Sequence, residues 1–504
     1  MTEESVSESD QSSLGSIVDG ATIFFVGEVL YKGSAFLLNL LLARALGTNF
    51  YGVYSYAYAF VTVSTMFAGL GSDQAVLRYL PKYTENQEKQ NWVLGLSVVS
   101  TIVGSLLIAG GLYLFAPVIN QYTLEQPLFV DVLRIVALIL PLDTLTKVLV
   151  GVFRGIERPR EQILLQKIIR PSARICAVVI ALGIGLSFFD TVAALVVASG
   201  LAVVGGFQLL FSRTSLRPAN PLRPSVSTSE VSGFFNYSLP LMLSKAGTIL
   251  YNRIDVFMVG AFFSSTVVGY YNISFLLSSL ISLPLVGCNQ LFAPVASRMY
   301  DEKQLDDLNE IYSTITRWVF TVSLLAALGT ALYAEDILGL IGPEYVQGTP
   351  ILVLFAVGQL LNASVGPSNY LLMMTDHQYV SFINHWVIGV INVVLNYIFI
   401  LQFGAVGAAI ATASILGLLN IIRWIEIRQL EGLSPYSLSF YKPLVAGMAA
   451  AIALYIPSIM FSGLILLIVG GLLGTLVYAS SLYLLGIEEA DIQFFREHIA
   501  DRLN

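Results

Sequence analysis

The chain has 504 residues, 56% of them hydrophobic and only 12% charged, with a net charge of −7 and a mean hydropathy of +0.76. Soluble domains carry about 25% charged residues, so this composition excludes a string of water-soluble domains and calls for an apolar solvent. Its acidic balance, pI 5.1, excludes nucleic acid as a partner, which would want a basic face.

Residues 1–19 (MTEESVSESDQSSLGSIVD) are acidic, Ser-rich and poor in aromatics, the composition of a disordered cytoplasmic tail. A signal peptide would need a basic start. Hydrophobic runs then recur along the whole chain, each about 20 residues or longer and so able to cross ~30 Å of hydrocarbon as a helix. The first six fall at 20–46, 51–77, 92–116, 128–153, 161–186 and 189–212, forming an N-terminal six-helix lobe over 20–212. A polar, Pro-containing linker occupies 213–232. Six more runs, at 233–262, 267–296, 311–334, 349–374, 380–402 and 404–424, make a second lobe over 233–428. Residues 429–504 hold an accessory pair at 443–461 and 463–485 and a cytoplasmic tail. In that tail Ile492, Phe495, Ile499 and Leu503 recur at helical spacing, which reads as an amphipathic helix on the membrane surface. The expected fold is an all-α integral membrane protein of about 14 transmembrane helices.

The Lys/Arg bias of the short loops sets the orientation. One side carries Arg78, Lys82 and Lys89, then Arg154, Arg158 and Arg160, then Arg213, Arg217 and Arg223, and later Arg298, Lys303, Arg423, Arg428 and Lys442. The opposite loops at 117–127 and 335–348 have no Lys or Arg. Both termini are therefore expected in the cytoplasm of a multi-pass protein of the cell membrane, which requires an even number of spans.

The two halves repeat. In LGTNFYGVYSYAYAF (46–60) and FSSTVVGYYNISFLL (263–277), Gly52 and Tyr54 meet Gly269 and Tyr271 at an offset of 217. Arg78 corresponds to Arg298, GIERPREQ (155–162) to MTDHQYVS (374–381), and FDTVAALVVAS (189–199) to FGAVGAAIATAS (403–414). Six spans per repeat is an even number, so the repeats have parallel topology, and a cleft between two such lobes is a usual route to alternating access.

The stretches LLARALGTNFYGVYSYAYAF, GLGSDQAVLRYLPKY, SLPLMLSKAGTILYNRIDVFMVG, VVGYYNISFLL and FGAVGAAIATAS resemble the polysaccharide (O-antigen-type) flippases of the multidrug/oligosaccharidyl-lipid/polysaccharide exporter superfamily. The resemblance covers about 20–430 and implies movement of a lipid-linked oligosaccharide, a polyprenyl phosphate or pyrophosphate glycan, from the inner to the outer leaflet. It implies membrane lipids, H+ or Na+, and glycosyltransferases or a polymerase of the same pathway as partners. It implies no cofactor and no enzymatic activity.

Ten basic residues stand in or at the edge of spans: Lys32, Arg44, Arg134, Lys147, Lys167, Arg170, Arg174, Lys245, Arg253 and Arg317. Glu28, Asp73, Asp131, Asp143 and Asp255 are the acids there, so the surplus is positive. A central charge costs ~2.5–3.5 kcal/mol on insertion scales and needs a partner, water or a ligand. A wet cleft with surplus cation suits a lipid phosphate. Lys32, Arg170, Arg174, Lys245 and Arg253 are the candidate phosphate-binding residues, and Glu28 and Asp255 the candidate ion-coupling carboxylates.

Glu28 and Lys32 stand at i,i+4 and read either as a structural ion pair or as an ion site beside a phosphate-binding lysine. Asp143 and Lys147 repeat the spacing and read as structure. Lys167, Arg170 and Arg174 step along the fifth span with no acid between them, beside Pro171, and read as a ligand-contacting stripe. The tyrosines at 51, 54, 56 and 58 read as interfacial anchors. No Walker A, HExxH, GxSxG or DxD motif supplies a catalytic or metal site. The rival readings are a multidrug extruder, which would favour an acidic, aromatic pocket for cationic drugs, and a membrane glycosyltransferase or ligase, which would need a large outer loop or catalytic carboxylates.

Overall fold

The computed structural model describes residues 4–221, 228–244, 246–486 and 488, with side chains for all of these except 4–26, 29, 228 and 243–252. Lys245, the middle of the linker at 222–227, and the tail positions Ile492, Phe495, Ile499 and Leu503 lie outside the described residues.

Among the described residues every regular element is a helix. Ten stretches are long and apolar enough to cross a bilayer. Two of them, Leu30–Lys82 and Gln378–Leu430, hold two spans each, because the backbone breaks at Gly47 (φ 74°, ψ 173°) and Gly404 (φ 64°, ψ −146°). A side chain with a Cβ is all but excluded at such angles, so one glycine does the work of a loop. Among the described residues, the charged stretch from Pro159 to Gly183, and Thr228–Ser244 with Ala246–Phe262 as one further span, bring the spans to fourteen, as the hydrophobic runs lead one to expect. The first helix begins at Glu4, so 4–19 is helical where its composition predicts a disordered tail. Acidic and Ser-rich residues resist burial, but acids suit a helix N-terminus continuing out of a span.

The outer faces are apolar. Leu107 and Leu114 of Gln87–Gln121 are 72% and 73% exposed, which water would penalise and lipid does not. The chain is a multi-pass membrane protein.

By packing, the chain forms two units, Met1–Ile273 with Ile383–Ala411, and Ser274–Phe382 with Thr412–Asn504. The first cut falls inside span 8, not at the linker of 213–232, because the start of span 8 packs on span 2.

In the first unit Val76, Leu80, Trp92, Val152, Phe153 and Leu210 form a buried core joining spans 2, 3, 4 and 6. The beginning of the linker is pinned on span 3: Asn91 O accepts from Ala219 N at 3.0 Å, and Trp92 Nε1 donates to Pro221 O at 3.2 Å. The two sequence repeats meet within this unit at equivalent residues. A Cβ on Gly52 would lie 1.8 Å from Ser265 O, and one on Gly269 would lie 2.2 Å from Thr48 O. Thr48 and Ser265 are separated by the same 217 residues as Gly52 and Gly269, so span 2 and span 8 cross reciprocally. Ser265 Oγ donates to Asn49 Oδ1 at 2.5 Å, and Asn272 Nδ2 donates to Ser55 Oγ at 3.3 Å. Small residues let two backbones touch where no hydrophobic force drives helices together.

In the second unit Phe292, Tyr312, Leu371 and Ile427 are buried together. The accessory pair, Tyr441–Ser458 and Gly463–Leu484, docks on span 9 through tyrosines. Tyr478 donates to Thr321 O at 2.9 Å and Tyr333 to Leu454 O at 2.6 Å. Glycine makes room for the second contact, since a Cβ on Gly470 would fall 2.0 Å from the Tyr333 hydroxyl.

Candidate functional site

Span 4 continues past Leu138 as Ile139–Gly155 and carries Asp143 well inside the membrane, 3% exposed. Span 5 opens with Pro159–Ile163, widens into a π-helical turn at Leu164–Ile169, and resumes as Arg170–Gly183. Pro171 explains the widening: it offers no N–H to an α-helical partner, so the turn before it relaxes. That turn presents Lys167 and delivers Arg170 and Arg174 to Asp143.

Both arginines grip the one carboxylate. Arg170 Nη2 lies 2.7 Å from Asp143 Oδ2, and Arg174 Nη2 lies 2.6 Å from Oδ1. Arg174 also donates to Tyr58 OH at 2.8 Å and to Ser199 Oγ at 3.0 Å. Tyr58 donates in turn to Asp143 Oδ2 at 3.3 Å. One level away, Lys167 Nζ reaches Glu28 Oε2 of span 1 at 3.3 Å. Gly27 leaves the space, since a Cβ there would meet Lys167 Cδ at 2.8 Å. Lys147 Nζ donates to Thr65 Oγ1 at 2.7 Å.

These contacts correct three expectations. Glu28 and Lys32 do not simply neutralise each other: Glu28 takes Lys167. Lys32, half-buried, has no hydrogen bond or ion pair among the described residues and faces Glu28 only through space. Asp143 is taken by two arginines, while Lys147, one turn on, also bonds a threonine. The stripe of Lys167, Arg170 and Arg174 is not unpaired, because spans 1 and 4 supply the acids its own helix lacks. A guanidinium fork binds a carboxylate better than an ammonium does, so the arginines win Asp143. The tyrosines are not interfacial anchors either: Tyr51, Tyr54 and Tyr56 are buried, and Tyr58 belongs to the cluster.

The cluster keeps spare capacity. Among the described residues five cations, Lys32, Lys147, Lys167, Arg170 and Arg174, stand with two carboxylates, Glu28 and Asp143. Arg170 Nε and Arg174 Nε are both buried with no hydrogen-bond acceptor. Buried donors are rarely left unused, and each can still donate to an anionic oxygen. Lys167 belongs to the stripe that the spacing selected, while Tyr58, Lys147 and Ser199 join the candidate site from other helices. Tyr54 and Tyr58, stacked at 5.8 Å, were signalled only by their i,i+4 spacing.

On span 7, Asp255 is buried and accepts from Tyr271 OH at 2.8 Å and from its neighbour Val256 N at 2.9 Å. Arg253 is half-buried two residues earlier.

The family described as Polysaccharide biosynthesis protein matches residues 17–300, and the MatE family matches 240–398. The probable low-salt glycan biosynthesis flippase Agl15 of Haloferax volcanii is 24% identical over 393 residues, 77% of this chain and 79% of that relative. Among solved structures, lipid II flippase MurJ in an inward closed conformation superposes with a TM-score of 0.73 at 13% identity, covering 95% of this chain and 100% of that one. An inward-facing multidrug resistance MATE family transporter gives a TM-score of 0.65 at 15% identity, covering 80% of this chain and 94% of the other. The architecture is thus shared with transporters of the MOP superfamily.

Proposed function

Since the chain belongs to the polysaccharide biosynthesis protein family, we propose that it flips a lipid-linked oligosaccharide, a polyprenyl phosphate or pyrophosphate glycan, from the inner to the outer leaflet by alternating access. The observation that carries this reading is the Arg170–Asp143–Arg174 cluster with two unused Nε donors inside a surplus of cations. A phosphate oxygen entering there meets two guanidinium edges already held in place, so little side-chain entropy remains to be lost. Asp143 has a second effect: it shares the same guanidiniums, which weakens their hold on the anion and allows release once the site faces outward. Lys32, Lys167, Lys245 and Arg253 add charge along the path. Glu28 and Asp255 are the proposed sites of H+ or Na+ coupling. The activity is transport and not catalysis, and the partners are membrane lipids and the glycosyltransferases or polymerase of the same pathway.

Loss of the protein is expected to leave lipid-linked glycan trapped in the inner leaflet and to lower surface glycan, measured by leaflet-specific labelling and by glycan staining of intact cells. The MatE match supports a second reading, a multidrug extruder. Hypersensitivity to cationic drugs with normal surface glycan would favour it and overturn the flippase.

We further propose that both termini are cytoplasmic, on the Lys/Arg asymmetry of the loops. Cysteines at Gln121 and Glu344 are expected to react with an impermeant reagent on intact cells, and one at Glu88 to react only after permeabilisation. Reaction of Glu88→Cys from outside overturns the orientation.

A further inference from the structure

Span 5 carries Lys167, Arg170 and Arg174, and its widened turn stands among them. In an unbroken α-helix successive residues turn by about 100°, so Lys167 would point within ~20° of Arg174 and ~60° of Arg170. All three cations would then share one face. The structure divides them: Lys167 Nζ reaches Glu28 of span 1, while both arginines reach Asp143 of span 4. The π-helical turn at Leu164–Ile169 accounts for the division. Arg170 N donates to Leu165 O, five residues back, so this turn holds one residue more than an α turn. The helix before it is thereby rotated by up to about 100° against the helix after it.

The two sides of the turn are anchored unequally. After it, Arg170–Gly183 is fixed by the burial of Pro171, Arg174, Val178 and Ala181. Before it, Pro159–Ile163 buries no residue, so rotation of that stub gives up little packing. Within the turn, Leu165 is buried close on Gly206, and Lys167 is held by Glu28 beside Gly27. Each register carries its own penalty. A π turn has the poorer hydrogen bonds, and an α turn here brings the Pro171 ring against the carbonyl of Lys167. Opposed penalties of this kind make an element with two discrete positions.

We infer that the turn at Leu164–Ile169 is a switch that assigns Lys167 either to Glu28 or to an anion held by the two arginines. In the π register, seen here, Glu28 keeps the lysine away from Arg170 and Arg174. In the α register Lys167 joins them on one face and becomes the third cation on a phosphate. An anion at the arginines favours that change, and so does a proton or cation on Glu28. The two sites therefore act on each other through the turn, each biasing the same two positions. The role of the anion rests on the transport reading of the cluster, whereas the change of register needs no substrate.

The test compares the full chain with its Pro171→Ala variant, which changes no charge. Cryo-electron microscopy in lipid nanodiscs reads the register, and native mass spectrometry counts retained polyprenyl phosphate. Pro171→Ala lifts the penalty on the α register, so its map is expected to show a regular helix with Lys167 away from Glu28. Retention of the probe is expected to rise about tenfold, the worth of one added charge-assisted hydrogen bond. Adding Lys167→Gln to Pro171→Ala is expected to erase that gain, which a merely structural proline would not predict. Glu28→Gln releases the lysine with Pro171 in place and is expected to move Lys167 the same way. A π turn that persists in both single variants, with Lys167 still at residue 28, overturns the switch. So does a regular helix in Pro171→Ala whose retention equals that of a parent that binds the probe. If no form retains the probe while the register changes as expected, the transport reading falls and the register switch stands.

Discussion

Replacing Asp143 with Asn is expected to lower the amount of folded protein in the membrane sharply, because it strips the counter-charge from two buried guanidiniums at once. Removing one partner of a buried ion pair costs about 3–5 kcal/mol, and here Arg170 and Arg174 both lose theirs. The double variant Asp143→Asn, Arg174→Gln is expected to regain much of the abundance, since one unpaired charge has gone with the acid. Transport should not return with it. Arg174→Gln alone leaves Asp143 paired with Arg170, so the protein should fold while surface glycan falls. Arg174→Lys keeps the charge but cannot bond Tyr58, Ser199 and Asp143 together, so it should lie between. Membrane abundance by blotting and surface glycan by staining separate the two effects. Normal abundance with normal glycan in Arg174→Gln would remove the phosphate role from the cluster.

Gly52→Ala is expected to disrupt the crossing of spans 2 and 8. Its Cβ would stand 1.8 Å from Ser265 O, and only backbone movement relieves that, because the obstacle is a carbonyl and not a flexible side chain. Overpacking of this kind costs about 1–3 kcal/mol, enough to shift a two-state equilibrium by roughly five- to 150-fold. Gly269→Ala should act in the same direction through Thr48 O. In the proposed orientation this crossing lies at the outer end of the spans, where a transporter must close one face while the other is open. Cysteines at Asn49 and Ser265, joined in the parent by a hydrogen bond of 2.5 Å, should cross-link readily. In the Gly52→Ala background they should react instead with an impermeant thiol reagent, and transport should fall. Unchanged cross-linking alongside lower abundance would make the crossing a static contact and not a gate.

The spans themselves were legible because hydropathy is a property of consecutive residues. The break at Gly404 falls where two apolar runs, 380–402 and 404–424, abut with almost no polar residue between them. The repeat was legible too, and it even aligned the residues that touch: Gly52 with Gly269 and Thr48 with Ser265 lie at one offset. Nothing in the alignment said that equivalent residues would meet each other. That depends on how the repeats are placed, and the crossing supplies it through backbone approach.

The charges divide differently. From the sequence alone, a surplus of cations inside the spans and the residues that carry it were determined, since composition and hydropathy suffice to place a charge at membrane depth. Which acid each cation takes was decided only by the tertiary structure. Spacing at i,i+4 says that two side chains can reach each other, and by that rule Asp143 goes to Lys147 and Glu28 to Lys32. In an apolar solvent a charge instead takes the strongest partner any helix offers. The widened turn before Pro171 swings Arg170 and Arg174 onto Asp143, and Gly27 admits Lys167 to Glu28. Helix placement, the absence of a Cβ and the reach of a guanidinium fork fix those pairs, and none of the three is a property of a single helix read alone.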